Sequence, residues 1–363
     1  MDIQRSMSRT WPMNRTSVMQ ALAVSLLLTH CGPKVEPAEP EAAPPEPEPA
    51  QPAPEPAAVA AEEKAEPTPE ELERQAALQK LKEDRARLKE DHTAEVARWT
   101  PELHAEAKTL AEKSYASGRA AIDAALKAKY RKPANAARDK DRHPLETLEF
   151  FGFQPTQTVL EYGPGEGYYT ELLAPALAKK GQLIITNTDP NGPPEARSTY
   201  YAERVQLLLE RSPELFGKVK TVIFDPSEPK LGLEGSVDLA LLMRSLHGMV
   251  NAGSLDAWLK EIHTALKPKG VLGVEQHRSN PDANPEESAK LGYLPEAWVI
   301  QKIEAAGFTL QKKSEINANP KDTKDHPKGV WNLPPSLADG DQDREKYVGI
   351  GESDRMTLKF IKK

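Results

Sequence analysis

Three glycines at alternate positions form the part of this sequence best suited to hold a ligand. Gly163, Gly165 and Gly167 follow a short apolar segment that ends in Glu161. Glycine permits a tight turn and lets a ligand lie against bare backbone, and a helix that starts after the turn leaves N–H groups unpaired. A dinucleotide-binding turn would have its third glycine at position 168, where this chain has Tyr168. The spacing therefore argues against a nicotinamide or flavin site.

Short apolar strands that alternate with amphipathic helices must position this turn. The pattern predicts strands at 158–162, 182–187, 219–224, 237–243, 270–275, 308–316 and 355–361. It predicts helices at 144–151, 168–179, 197–211, 253–266 and 295–306. This alternation is typical of a parallel sheet with right-handed crossovers. Ligands of such sheets bind beyond the carboxyl ends of the strands, which brings together on one rim the segments 161–167, 187–189, 225, 244–247 and 275–278.

Several motifs, in order along the chain, resemble class I S-adenosylmethionine-dependent methyltransferases. They are the E-x-G-x-G-x-G turn at 161–167, the second strand at 180–187, the fourth strand and its exit loop at 236–247, the L-K-P-x-G passage at 266–270 and the E-x-A-G-F step at 304–308. The resemblance covers residues 131–363. Within this superfamily, the chain most resembles a group of bacterial predicted methyltransferases, many of which carry export signals. That narrower resemblance rests on the segments 138–144, 276–278, 319–322 and 354–360.

The resemblance implies a fold and a cofactor. The fold is an α/β, Rossmann-like methyltransferase sheet, mostly parallel with its last strand antiparallel and with helices on both faces. S-adenosylmethionine would lie on the glycine turn, and Glu161 would face its cationic end. An acid usually ends the second strand and binds the ribose, but here Asn187 has that place and Asp189 follows two residues later. Asp225 would accept from the adenine amino group or begin a turn.

Methyl transfer requires alignment of the reacting atoms and, for some acceptors, removal of a proton. His247 and His277 lie on the predicted rim and are the candidate bases, although a histidine at a strand end is also a common structural hydrogen bonder. Arg244 and Arg278 would bind an anionic group of the substrate or form surface ion pairs, and Arg244 is also a candidate cofactor-binding residue.

A short polar run precedes the sheet domain. Arg138, Asp139, Arg142 and His143 fit a substrate wall, which makes Arg142 and His143 catalytic candidates, and they equally fit a salt-bridge cluster that caps a helix.

Composition limits the classes of function. Residues 31–69 contain nine Glu and two Lys, which account for the whole net charge of −7. The remainder is about neutral and gives no reason to expect nucleic-acid binding. The sequence has no H-x-x-x-H or C-x-x-C pattern, so we expect no metal, and it has no G-x-S-x-G hydrolase motif.

The first thirty residues resemble a bacterial lipoprotein leader. Arg5, Arg9 and Arg15 precede an apolar run at 17–29, and Cys31 is then the residue expected to carry the lipid. His30 departs from that pattern, because a small residue is usual before the cysteine. Plain secretion and an uncleaved N-terminus are the alternatives. If Cys31 carries a lipid anchor, the protein would lie in the cell envelope and face the periplasm. If the first thirty residues are not an export signal, it would be cytoplasmic.

The rest of the N-terminal region divides into two segments. Residues 31–69 are rich in Pro, Ala and Glu and predict a disordered tether. Residues 70–130 predict a helical neck. Its first helix, to about position 99, has a thin apolar stripe that fits a solvated spacer or a helical partner, and its second part has an apolar face that should pack against the domain at 131–363.

The sequence thus predicts methyl transfer from S-adenosylmethionine to a small molecule or an envelope component. The alternative is a non-catalytic lipoprotein that uses a degenerate methyltransferase fold as a binding module, an interpretation that the Asn187 substitution favours.

Overall fold

The computed structural model describes residues 68–363 except residue 227. The predicted leader, Cys31 and most of the predicted tether lie outside the described residues. The strands are β1 (Thr158–Tyr162), β2 (Gln182–Asn187), β3 (Lys220–Ile223), β4 (Val237–Met243), β5 (Leu266–His277), β6 (Phe308–Ser314) and β7 (Arg355–Lys362). The α-helices are α1 (Pro69–Arg98), α2 (Pro101–Glu112), α3 (Gly118–Leu126), α4 (Pro133–Ala136), α5 (Asp139–Arg142), α6 (Pro144–Phe151), α7 (Thr170–Leu177), α8 (Arg197–Glu210), α9 (Pro213–Phe216), α10 (Leu246–Asn251), α11 (Leu255–Ala265), α12 (Pro285–Lys290), α13 (Glu296–Ala305) and α14 (Arg344–Ile350).

The seven strands form one sheet in the order β3-β2-β1-β4-β5-β7-β6. β1 to β5 are parallel, and β7 runs antiparallel between β5 and β6. The predicted Rossmann-like sheet with an antiparallel last strand is therefore confirmed. The order places β1 and β4 at the centre, so the carboxyl ends of β2, β1, β4 and β5 meet at one edge.

Alternate residues of the central strands are buried in two separate cores. Val159 and Leu241 belong to one core, with residues of α2, α3, α6, α7, α8 and α9. Leu160 and Leu242 belong to the other, with residues of α10, α11 and α13. Because side chains alternate across a strand, this division shows helices on both faces of the sheet.

The second part of the neck packs against the sheet domain, as predicted. Ala107 and Ile122 are buried in the first core, and Leu103, Leu110 and Leu126 pack against it. The apolar face of α2 and α3 thus continues the core of the domain.

The first helix begins where its capping sequence predicts, but it is not a solvated spacer along its whole length. Thr68 and Glu71 form a reciprocal cap at its N-terminus, with the Glu71 N–H donating to Thr68 Oγ1 at 3.2 Å. Further along, α1 lies against α8 through ion pairs between Asp84 and Arg197 and between Arg85 and Glu203. The spacer interpretation is wrong for residues 84–95, because Asp84, Arg85 and Glu95 pair with residues of the sheet domain, although most other residues of α1 are exposed.

Candidate functional site

A cleft of about 690 Å³ opens at the carboxyl edge of the sheet. It lies over the ends of β1, β2, β3 and β4, as the rule for open parallel sheets predicts. Its lining comprises Tyr162, Gly163, Pro164, Gly165, Thr186, Asn187, Thr188, Ser198, Tyr201, Arg204, Val205, Phe224, Pro226, Arg244, Ser245, Gly248, Met249, Ala252, Ser254, Trp258, Trp331 and Ser336. Of the residues predicted to bind a cofactor, Gly163, Gly165, Asn187 and Arg244 are in this lining.

The glycine turn forms one wall of the cleft. Gly163, Gly165 and Gly167 all have positive φ, at 59°, 60° and 81°, a conformation that other residues rarely adopt. The Gly163 N–H donates to Thr186 Oγ1 at 2.9 Å, which ties the turn to β2. A Cβ at Gly163 would have no heavy atom within 4 Å, whereas one at Gly167 would lie 2.3 Å from Leu208 Cδ2. The first two glycines thus leave backbone open to a ligand, and the structure places Gly167 against α8 instead of in the cleft.

Glu161 and the two tyrosines after the turn lie beneath the cleft surface. Glu161 is buried, and its Oε2 accepts from Thr170 Oγ1 at 2.8 Å. Burial raises the pKa of this carboxyl to about 7. Tyr168 donates to Asp139 Oδ1 at 2.7 Å and Tyr169 to the buried carboxylate of Glu275 at 3.0 Å. Both tyrosines are buried, and neither is in the lining of the cleft.

The second strand ends without an acid that faces the cleft. The Asn187 side chain is engaged by backbone, because its Nδ2 donates to Ala202 O at 3.2 Å and its Oδ1 accepts from the Thr188 N–H at 3.0 Å. Asp189 is exposed and accepts from the Asn191 N–H at 2.8 Å, which is an Asx turn. A ribose at this corner would therefore meet no carboxylate among the described residues of the lining.

The end of the third strand contributes an aromatic surface. Asp225 is not in the lining; it forms an isolated bridge with Glu228, while Phe224 and Pro226 on either side of it do line the cleft. The Phe224 and Tyr162 rings each lie 4.7 Å edge-on from Trp258. This cluster gives the cleft an apolar aromatic wall against which a nucleobase could pack.

Arg244 follows β4 and holds an unusual backbone conformation. Its φ is +59°, and its N–H donates to the Glu275 carbonyl at 2.6 Å. Its Nη1 donates to Glu275 Oε1 at 2.8 Å. Positive φ in a residue other than glycine is strained and concentrates at functional sites. Arg244 thus forms an ion pair and also lines the cleft, two roles that were predicted as alternatives.

The two candidate bases lie beside the cleft and outside its lining. The His247 ring is centred 6.0 Å from that of Trp331 and 5.7 Å from that of His277. His277 Nδ1 is 2.5 Å from Ser353 Oγ. Burial lowers the pKa of both imidazoles, so both are neutral at pH 7.

The polar run before the sheet forms a salt-bridge cluster, which was one of its two interpretations. Arg142 Nε donates to Glu352 at 3.1 Å, and its guanidinium lies 4.5 Å above the Tyr168 ring. His143 joins α5 to α6 at a φ of 41°, with its Nδ1 3.4 Å from Asn317 Oδ1. Neither Arg142 nor His143 is in the cleft lining. Arg278 also forms ion pairs, with Glu296, Glu315 and Asp354.

Some residues that line the cleft were not predicted from the sequence. Ser198, Tyr201 and Arg204 come from α8, and Trp331 and Ser336 come from the long segment between β6 and β7. The one local signal for Trp331 is a large aromatic residue in an otherwise polar segment, and its side chain is 37% exposed.

Comparisons with known proteins concern the fold. No protein-family model and no curated protein matches the chain. Among solved structures it is similar to an S-adenosylmethionine-dependent methyltransferase from Aquifex aeolicus, with 18% identity, a TM-score of 0.41, and coverage of 67% of this chain and 97% of that one. A TehB-like methyltransferase from Corynebacterium glutamicum has 14% identity and a TM-score of 0.35 (60% and 86% covered), and one from Methanosarcina mazei has 14% and 0.37 (59% and 96%). At these identities the likeness extends to the fold alone.

Proposed function

We propose that this protein transfers a methyl group from S-adenosylmethionine to an acceptor that binds in the same cleft. The observation that carries the proposal is the open glycine turn at Gly163 and Gly165, which faces a cleft large enough for a nucleoside and a second molecule. When bound, S-adenosylmethionine would supply an electrophilic methyl group. The named structural neighbours are themselves called S-adenosylmethionine-dependent methyltransferases, in keeping with the proposal.

The chain's own residues fit this cofactor in part. The backbone at Gly163 and Gly165 would hold its amino-acid and ribose portions, and the surface formed by Tyr162, Phe224 and Trp258 would hold the adenine. Catalysis would then come from alignment of the acceptor with the methyl group, since transfer from a sulfonium needs no covalent help from the protein.

The ribose corner supports a second candidate, a non-catalytic binding module. Asn187 has its amide committed to backbone, and Asp189 is turned into solvent. Loss of a bidentate acceptor for the ribose hydroxyls would weaken cofactor binding. The module would keep the fold and bind a partner through it.

Calorimetric titration of the full chain with S-adenosylmethionine and S-adenosylhomocysteine separates the two candidates. We expect micromolar binding, equivalent to about −8 kcal/mol. The same titration of Gly165→Arg, whose long side chain would enter the cleft, should show no binding. Heat of binding that is unchanged in Gly165→Arg would contradict this placement of the cofactor, and no binding by the native chain would favour the module.

We also propose that a lipid on Cys31 anchors the protein in the bacterial envelope with its folded part facing the periplasm. In the part of the chain that the structure describes, no helix is long and apolar enough to cross a membrane. Cys31→Ser should move the protein from the membrane fraction to the soluble fraction after cell lysis, as shown by immunoblotting. Continued membrane association of the variant would refute the anchor.

A further inference from the structure

The cations of the cleft lining are paired with carboxylates that lie outside it, Arg204 with Glu166 at 3.5 Å and Arg244 with Glu275 at 2.8 Å. The described lining contains two guanidinium groups, from Arg204 and Arg244, and no carboxylate. Ser245 Oγ and Arg204 Nε are buried in the cleft wall without a hydrogen-bond partner. A buried polar group without a partner is costly, so protein atoms alone do not fully satisfy this wall of the cleft.

Arg244 belongs to a buried cluster in which cations outnumber carboxylates. Glu275 contacts Arg244 Nη1 at 2.8 Å and Arg355 Nε at 3.3 Å. Glu352 contacts Arg355, Arg138 and Arg142, at 2.5, 2.7 and 3.1 Å. Four guanidinium groups therefore share two carboxylates.

Uncompensated charge in a buried cluster is unfavourable, and an anion would relieve it. Arg244 is the only one of these four arginines in the described cleft lining. The anion would therefore reach the cluster through the cleft.

Among the described residues, the cleft lining contains no carboxylate or imidazole that could take a proton from the acceptor. Gln276 Nε2 donates to the Gly292 carbonyl at 2.9 Å, which orients the amide, and the same nitrogen lies 3.4 Å from His247 Nδ1. Since Nδ1 faces an N–H donor, the neutral imidazole holds its proton on Nε2 and is a donor there. His277 lies outside the described lining, with its Nδ1 2.5 Å from Ser353 Oγ. Burial raises the pKa of Tyr162 to about 12, so this phenol stays protonated at neutral pH.

We propose, on the basis of the methyl transfer argued above, that the acceptor is a carboxylic acid bound as its carboxylate beside Arg244, and that the product is a methyl ester. An oxygen lone pair of the carboxylate forms the bond to the methyl carbon, the carbon–sulfur bond breaks, and its electron pair returns to sulfur as neutral S-adenosylhomocysteine forms. No proton is released. The exposed indole of Trp331 would pack against an apolar body of the acceptor.

Binding of benzoate and benzamide, a matched anion and neutral amide, tests the charge requirement. The full chain would be saturated with S-adenosylhomocysteine and titrated by calorimetry. We expect benzoate to bind about tenfold or more tightly than benzamide, and this preference to disappear in Arg244→Gln and to persist in Arg244→Lys. The exposed Arg119→Gln is the control and should match the native chain. Equal affinity for the two probes, or no benzoate binding to the saturated protein, would overturn the proposal.

The cofactor has a carboxylate of its own, and the same variants distinguish that source. If Arg244 holds the acceptor, Arg244→Gln should leave the affinity for S-adenosylhomocysteine within about threefold of native, an energy difference below about 1 kcal/mol. Loss of S-adenosylhomocysteine binding with an unchanged benzoate preference would assign Arg244 to the cofactor. Because removal of Arg244 leaves Glu275 with one fewer partner, Arg244→Lys provides a variant that retains the charge.

The product chemistry gives a second readout. The full chain would be incubated with methyl-labelled S-adenosylmethionine and an envelope extract. We expect the extract to become labelled and mild base to release the label as volatile methanol, as it does from a methyl ester. Base-stable label would overturn the carboxylate assignment and leave methyl transfer standing. Failure to bind S-adenosylhomocysteine at all would instead contradict the proposed function.

Discussion

Three glycines in one turn share a backbone conformation and differ in what surrounds them. All have positive φ, but Gly165 lines the cleft and the nearest atom to a Cβ there is Arg204 Nη2 at 3.8 Å. A Cβ on Gly167 would overlap the side chain of Leu208. Gly165 therefore leaves room for a ligand, whereas Gly167 allows α8 to pack closely against the turn.

We predict that alanine separates these two roles. Both Gly165→Ala and Gly167→Ala should lose about 1 kcal/mol through backbone strain. Gly167→Ala should lose about 1–3 kcal/mol more through overpacking against Leu208. Gly165→Ala should bind S-adenosylhomocysteine more weakly because its methyl group enters the cleft. Urea unfolding and calorimetry measure the two effects, and an equal loss of stability in both variants would contradict the assignment.

Glu161 is a residue whose buried carboxyl should make stability depend on pH. Its pKa in the folded protein is about 7, raised by burial, against about 4.5 for the unfolded chain. Between these values the folded state holds a proton that the unfolded state has lost. The contribution of Glu161 to stability is therefore most favourable below pH 4.5 and is lost as the pH rises to about 7.

Replacement by glutamine should remove this dependence. Glu161→Gln keeps an oxygen for the Thr170 hydroxyl and cannot ionise, so its stability relative to the native chain should increase by up to about 3 kcal/mol between pH 4.5 and 8. Urea unfolding at several pH values measures the difference. A difference that does not vary with pH would show that the carboxyl ionises in the folded protein as it does in the unfolded chain.

At the scale of elements, α1 and α8 form a unit with the wall of the cleft. Asp84 and Arg85 of α1 pair with Arg197 and Glu203 of α8. Arg211, at the end of α8, is buried and joins Glu95 of α1 to Glu171 of α7, each at 2.9 Å. Because Glu171 is fully buried, its charge depends on this arginine for compensation.

We predict that Arg211→Met is strongly destabilising, by about 3–5 kcal/mol, because it leaves a buried carboxylate without its cation. Arg119→Met is the matched control. Arg119 forms an exposed pair with Glu149 at 2.6 Å, and the loss there should be below about 1 kcal/mol. Urea unfolding of both variants gives the comparison. Similar losses would mean that the arginine at 211 contributes no more than a surface ion pair.

For the molecule as a whole, the described residues from Thr68 to Lys363 belong to one compact unit that includes the neck helices. Trp99, directly after α1, is buried in the first core, and the Arg211 guanidinium lies 5.5 Å above its ring. The helix before Trp99 therefore belongs to the structure that supports the cleft.

Two truncations test this organisation. A chain that begins at residue 66 should match the full chain in stability and in affinity for S-adenosylhomocysteine. A chain that begins at residue 100 should lose about 2–4 kcal/mol of stability, through burial and ion pairs that α1 provides, and should bind the ligand more weakly because α8 loses its support. Thermal unfolding and calorimetry measure both. Identical behaviour of the two truncated chains would show that α1 is dispensable.

The strands and the main helices around the sheet could be predicted from the sequence, as could the rim where a ligand is expected, and the family resemblance added the antiparallel last strand. Periodicity and glycine spacing are local, and the carboxyl ends of parallel strands must share an edge. In the structure, Gly163, Gly165 and Arg244 of that rim line the cleft.

Only the tertiary structure decided which residues of that rim face the cleft and which lie behind it. Arg142 and Glu352 are 210 residues apart, and their contact depends on how α5 and the segment before β7 pack. Other features also depend on contacts between distant parts of the chain. They are the hydrogen bond from Asn187 to the Ala202 carbonyl, the contact of α1 with α8 and the position of Trp331 in the cleft lining. Burial and pairing of this kind follow from strand order and side-chain direction, which are properties of the packed chain and not of any local segment.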